Sequence, residues 1–240
     1  PCMTVASFSR SDMLRDVVER IHAYASSPEL EATLKVARRE FVTLRGDLFD
    51  SDSDYEARLG MFLDWFVCDR LVRMENVLRS PAGHYIEAHF RSLDADELAL
   101  AESFRDGCLR LLRFRKFVKS GAGIFEDVVM STKVTIDNAS DVFIALEKGQ
   151  LVESRVMEHH GAFIAGPSWL SRPREAHKII VKSSKLLRSS FRGLNLNNIE
   201  DRGDLLRFLH RIASLSNRAN RYPHVEVSEI FKELTDSPLV

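Results

Sequence analysis

"RFRKFVKSGAGIFEDVVMSTKVTIDNASDVFIALEKGQLVESRVMEHHGAFIAG" (113–166) decides the fold class. It is rich in Val, Ile and Phe, residues that suit a pleated, half-buried surface. Turn-forming groups cut it at short intervals: Ser120-Gly121-Ala122-Gly123, Asp137-Asn138-Ala139-Ser140, Lys148-Gly149-Gln150 and His159-His160-Gly161. Four or five short antiparallel strands joined by tight turns fit this pattern. They predict a small curled sheet or partial barrel that ends at Pro167.

On either side the apolar period becomes helical. The expected architecture is therefore α+β: an N-terminal helical bundle over 1–112, the antiparallel β module over 113–167, and C-terminal helices over 168–240. "SDMLRDVVERIHAYA" (11–25) places Leu14, Val17, Val18, Ile21 and Ala25 on one face. Ser27-Pro28 suits the cap and first turn of a second helix. There Leu30, Leu34, Ala37, Phe41, Leu44 and Leu48 form a seam suited to packing inside a bundle, with a coiled-coil partner as the alternative. "GDLFDSDSDYE" (46–56) resembles the start of a calcium loop, but Tyr55 replaces the sharp-turn glycine and Met61 the closing glutamate. Acidic residues ahead of a helix dipole explain it more simply.

"MFLDWFVCDRL" (61–71) is apolar nearly all round, as a central helix is. Asp69 shares a face with Phe62, Trp65 and Phe66, and Arg73 stands one turn further on. Asp69 and Arg73 are therefore expected to form a buried anchoring pair rather than a catalytic centre. A short helix around "HYIEAHF" (84–90) follows the Ser80-Pro81 break. Asp94 and Glu97 then spell a capping box for a helix running to about Leu112.

Composition bounds the function. The chain has 240 residues, 45% of them apolar and 29% charged, ordinary proportions for a globular protein with a real core. Three scattered cysteines (Cys2, Cys68, Cys108) offer no disulfide framework and favour a reducing, cytoplasmic setting. The first residues lack the basic-then-apolar order of a secretory signal, and no apolar run is long enough to span a membrane. The net charge of −1 hides an asymmetry: residues 1–104 carry 12 Lys/Arg against 19 Asp/Glu (−7), and residues 105–240 carry 22 against 16 (+6). An anionic partner is expected on the C-terminal half.

The most informative element is a predicted helix over 171–192, capped by Ser171 with Pro173 in its first turn. It holds Arg172, Arg174, Lys178, Lys182, Lys185, Arg188 and Arg192 against Glu175 alone. Ala176, Ile179, Ile180, Ser183 and Leu187 form the opposite, inward stripe. Arg174, Lys178, Lys182, Lys185, Arg188 and Arg192 are thus the candidate partner-binding residues, facing an acidic protein surface or nucleic acid. A solvated face offset by the acidic N-terminal half is the plainer reading of the same residues. No aromatic lies on this face to stack bases, and base-reading spacing is absent.

A second basic cluster holds Arg110, Arg113, Arg115 and Lys116. With the Asn138-Ala139-Ser140 turn it resembles the PilZ cyclic-dinucleotide domain over roughly residues 110–166. The resemblance implies a small barrel that binds cyclic-di-GMP through the arginines and the turn. Here the arginine spacing departs from that family's, and Phe143 stands where its glycine would be. No phosphate-cradling glycine loop, nucleophile elbow or metal-chelating spacing is present, and no cofactor is implied. His159 and His160 are adjacent and would point to opposite faces of a strand. The expected function is a non-enzymatic binding or regulatory protein with a basic C-terminal face toward an acidic protein. Phosphate-directed nucleic-acid binding and the cyclic-dinucleotide reading are the alternatives.

Overall fold

The computed structural model describes residues 10–190, 195–196 and 198–236. Helices α1 (Arg10–Ala25), α2 (Glu31–Arg45) and α3 (Tyr55–Cys68) lead into a hairpin, β1 (Val72–Met74) and β2 (Val77–Arg79), then α4 (Pro81–His89) and α5 (Ala95–Asp106). Strands β3 (Cys108–Phe117), β4 (Gly123–Asp127) and β5 (Thr132–Ile136) follow. A short helix α6 (Ala139–Val142) precedes β6 (Leu151–His159) and β7 (Ala162–Ser171). Helices α7 (His177–Ser190), α8 (Ile199–Arg221) and α9 (Val227–Asp236) complete the chain. The mixed class, with helices at both ends of a β module, is the one the periodicities predict. None of these helices is long and apolar enough to cross a membrane.

The β module closes on itself rather than stopping at a partial barrel. Its strand order is β3-β4-β5-β7-β6, with β6 returning to β3. Every pairing is antiparallel except β5 with β7, which meet in parallel at Ile136 and Phe163. That one pair joins the two ends of the sheet. Leu112, Phe114, Phe125, Val134, Ile136, Phe143, Val152 and Val156 fill the interior. The rings of Phe114, Phe125, Phe143 and Trp169 form a chain with successive centroids 5.3, 5.2 and 5.7 Å apart. Gly123 is required there, because a Cβ would stand 2.5 Å from the Phe125 ring and 2.7 Å from the Ala139 side chain.

Several boundaries differ from expectation for local reasons. The fifth helix stops at Asp106, not Leu112, because Gly107 caps it and Cys108 already pairs with β6. Helix α2 begins at Glu31; Ser27 and Pro28 instead form the preceding turn, their carbonyls accepting from Leu30 and Glu31. Pro167 lies inside β7, where the register shifts opposite Arg155 and no ladder hydrogen bond is demanded of it. The β1–β2 hairpin was not foreseen. Glu75 (φ 46°) and Asn76 (φ 66°) make the two-residue turn of positive φ that such hairpins favour. The Asp94–Glu97 capping box is present, and Ser80 caps α4 by accepting from the Gly83 amide at 3.2 Å.

One apolar cluster runs from α1–α5 across the outer face of the barrel to α7–α9. The strand β6 sits at its centre. Val152 and Val156 point into the barrel, whereas Leu151, Glu153, Arg155 and Met157 share the opposite parity and face the helices. Glu153 and Arg155 are both fully buried. Glu153 accepts from Arg45 of α2 at 2.6 Å and from Arg172 just beyond β7. Arg155 bonds the Asp69 carboxylate at the end of α3, the Gly107 carbonyl and the Asp64 carbonyl.

The expected anchor is therefore half right in its residues and wrong in its pairing. Asp69 caps the end of α3 rather than lying within it, and its partner is Arg155. Arg73 falls in β1 with its side chain exposed, because the chain turns into the hairpin before another helical turn can form. The buried carboxylate inside α3 is Asp64, held at 3.1 Å by His22 of α1.

His210 of α8 completes the Arg45 site. Arg45 Nε donates to His210 Nδ1 at 2.7 Å, so that nitrogen carries no proton and the ring is neutral. Burial, and then the adjacent Arg45 charge, push its pKa down to about 2. A histidine depressed in this way favours the fold above its unfolded pKa and opposes it below.

Two outcomes follow from the buried network. Asp69→Ala strands the Arg155 charge and lowers the unfolding free energy by about 3–5 kcal/mol, whereas Arg73→Ala changes it by less than about 0.5 kcal/mol; urea midpoints measure both. Between pH 6.5 and pH 5, native protein loses about 1.7 kcal/mol more than His210→Gln, the slope rising toward about 1.4 kcal/mol per pH unit as the unfolded histidine becomes fully protonated. Paired denaturation curves at the two pH values read this difference.

Candidate functional site

The helix proposed as the basic face is shorter than its sequence suggests. Ser171 is the last residue of β7, and Arg174–Ala176 form a single 3-10 turn before α7 begins at His177. Strand pairing explains the difference: Ser171 opposes Val152, and the Arg172 amide still donates to the Leu151 carbonyl at 2.9 Å. Pro173 then sets the bend. The expected partner-binding residues consequently part ways.

Arg174 is exposed in the 3-10 turn and pairs with Glu147. Arg188 is half-buried and donates to the Val129 carbonyl at 3.1 Å, tying α7 to the β4–β5 turn. Arg192 lies outside the described residues. Lys178, Lys182 and Lys185 are exposed on α7, with no carboxylate of a described residue in ion-pair reach. They follow a 4,3 spacing and form one stripe. Ile180, Ser183, Ser184 and Leu187 are buried on the other side, against α9 among other elements. The amphipathic division therefore exists, but over 177–190.

The second basic cluster lies within β3 rather than joining a helix to it. Arg110 bonds Asp127 at 3.3 Å, and Glu126 takes both Arg113, at 3.5 Å, and Arg115. Arg110 also rests over the Phe163 ring, 5.7 Å from its centroid. Lys116 is exposed and, like Lys178, has no ion-pair partner among the described residues. The Asn138 amide fastens its turn to β7. Its oxygen accepts from Ala165 N at 2.8 Å and its nitrogen donates to Ala165 O at 2.9 Å.

The two clusters meet at His177. Burial lowers its pKa; a bond to the Arg172 carbonyl works the other way, and nearby Arg113 and Arg174 lower it further. Glu175 beside it works against those two charges.

The buried residues that knit the structure, Arg45, Glu153, Arg155, Arg172 and His210, were absent from the site read in the sequence. Their signal was faint but present. In "LVESRVMEH" the charged residues Glu153 and Arg155 keep step with apolar Leu151 and Met157 rather than alternating with them. No three His, Cys, Asp or Glu side chains among the described residues converge to hold a metal ion.

Compared with protein-family models, with curated proteins and with solved structures, the chain matches none. The lysine stripe has no ion-pair partner among the described residues. Lys178→Ala, Lys182→Ala and Lys185→Ala, separately or together, leave the thermal midpoint nearly unchanged, each within about 0.5 kcal/mol; Arg188→Ala costs about 1 kcal/mol through its carbonyl contact. Differential scanning calorimetry checks both.

Proposed function

We propose that this protein is a non-enzymatic, cytosolic binding or regulatory protein that docks an acidic protein surface through the lysine face of α7. One contrast supports the reading best. Arg110, Arg113, Arg115 and Arg174 each contact one of the protein's own carboxylates, whereas Lys178, Lys182 and Lys185 are exposed and unmatched among the described residues. Ammonium groups on long, mobile stems suit a partner met as a charged surface more than one gripped by fixed forks. The free thiols of Cys68 and Cys108 suit a reducing compartment.

Such an interface works mainly by steering and register, and salt weakens it. The test compares three probes on the native protein and on the Lys178→Glu, Lys182→Glu, Lys185→Glu triple variant. They are a poly-glutamate peptide, a random-sequence DNA duplex and cyclic-di-GMP. The expected result is peptide binding at low salt that falls at least tenfold in the variant. Equal peptide binding by both proteins overturns the proposal. So does preference for the duplex with a log–log salt slope of about −3, the value for three phosphate contacts. A cyclic-di-GMP thermal shift that disappears in Arg113→Ala overturns it in favour of the β3 arginines.

A further inference from the structure

Helices α2, α3 and α8 and the end of β7 enclose a cleft of about 300 Å³. Its size suits a small ligand. Arg45 and Arg172 line it, and Phe41, Met61 and Leu170 provide apolar walls.

Arg45 and Arg172 share a single carboxylate at this cleft. Both guanidinium groups are almost wholly buried, with side chains 4% and 3% exposed. Glu153 is the one carboxylate that either of them touches among the described residues. His210, the other partner of Arg45, is neutral. Asp69 is committed to Arg155, and Arg58 at the rim is matched by Asp52 at 2.8 Å and Asp54 at 4.0 Å. Of these two guanidinium groups, one is therefore left without a carboxylate of its own among the described residues. Two donors are left over with it: Arg45 Nη1 and Arg172 Nε are buried without a hydrogen-bond partner among the described residues. Burial disfavours the Arg45 charge, Glu153 favours it, and Arg172 opposes it in turn.

A buried guanidinium without a carboxylate of its own and unmet donors are both costly. A carboxylate placed against the two guanidinium groups would cancel the charge and could accept from both of them.

We propose that this cleft binds a small organic monoanion, with its carboxylate on Arg45 and Arg172 and its apolar body against Phe41, Met61 and Leu170. The lysine face of α7 takes no part, so this site and the docking surface are independent.

Benzoate is the probe, benzamide its neutral counterpart and inorganic phosphate the anion without an apolar body. Calorimetric titration and thermal unfolding are run with each on the full chain. Benzoate binds and raises the thermal midpoint with concentration, while benzamide does neither. Arg172→Gln, which leaves Arg45 and Glu153 as a balanced pair, weakens benzoate at least tenfold. Ala213→Leu fills the cleft without changing a charge and abolishes the shift, so the proposal does not rest on an arginine variant that fails to fold. Equal effects of benzoate and benzamide overturn the proposal, as does benzoate binding that survives Ala213→Leu. A phosphate shift equal to that of benzoate overturns the organic part of the assignment. The Lys178→Glu, Lys182→Glu, Lys185→Glu variant binds benzoate as the native protein does.

Discussion

Two charged residues on one face of one strand govern how the layers of this protein meet. Glu153 and Arg155 stand on the side of β6 that faces the helices, both without solvent contact. Glu153 engages α2 and the segment leaving β7, while Arg155 engages the end of α3 and the start of β3. A barrel and a helical layer held by apolar contacts alone could slide by a residue or a turn at modest cost, since hydrophobic burial is non-directional. Buried ion pairs tolerate no such slip, because a stranded charge costs several kcal/mol. The closed barrel supplies the rigid platform, and the paired charges set where the helices sit upon it.

This division assigns different work to the two basic side chains. Four arginines, Arg45, Arg58, Arg155 and Arg172, are spent inside the protein. They bond carboxylates and backbone carbonyls, and the planar fork of a guanidinium suits that multiple engagement. Arg45 illustrates it, joining His210, Glu153 and the Phe41 ring, whose centroid lies 5.3 Å away. The unmatched lysines of α7 remain at the surface. Counting Lys and Arg together along the chain therefore overstates the exposed positive charge near 171–174, and places its remainder correctly at 178–185.

Much of the fold was legible from period alone. The stripe Leu14, Val17, Val18, Ile21 and Ala25 is buried on α1, and the inward positions Ile180, Ser183 and Leu187 are buried on α7. The seam of α2 packs within the molecule at Leu30, Ala37 and Phe41, although Leu44 is exposed. What stayed hidden was non-local. No local rule pairs Asp69 with a residue 86 positions later when Arg73 offers a helical spacing. The Val128-Val129-Met130-Ser131 turn carries none of the usual glycine or proline, though Ser131 adopts φ 58° there. Barrel closure depends on a parallel contact between β5 and β7 that alternation cannot reveal. For the candidate site, the lysines were readable because exposure follows helix phase. Arg172 and Arg174 were misplaced because a strand reached further than Pro167 suggested.

The account rests on Arg155 and Asp69 acting as one buried ionised pair between barrel and helices. A double-mutant cycle with Asp69→Ala, Arg155→Met and the combined variant, measured by urea denaturation at neutral pH, tests this most directly. The account predicts a coupling free energy of about 1–3 kcal/mol, with the double variant more stable than the sum of the two losses allows. Additivity within about 0.3 kcal/mol would contradict it, since residues that do not share an interaction lose stability independently.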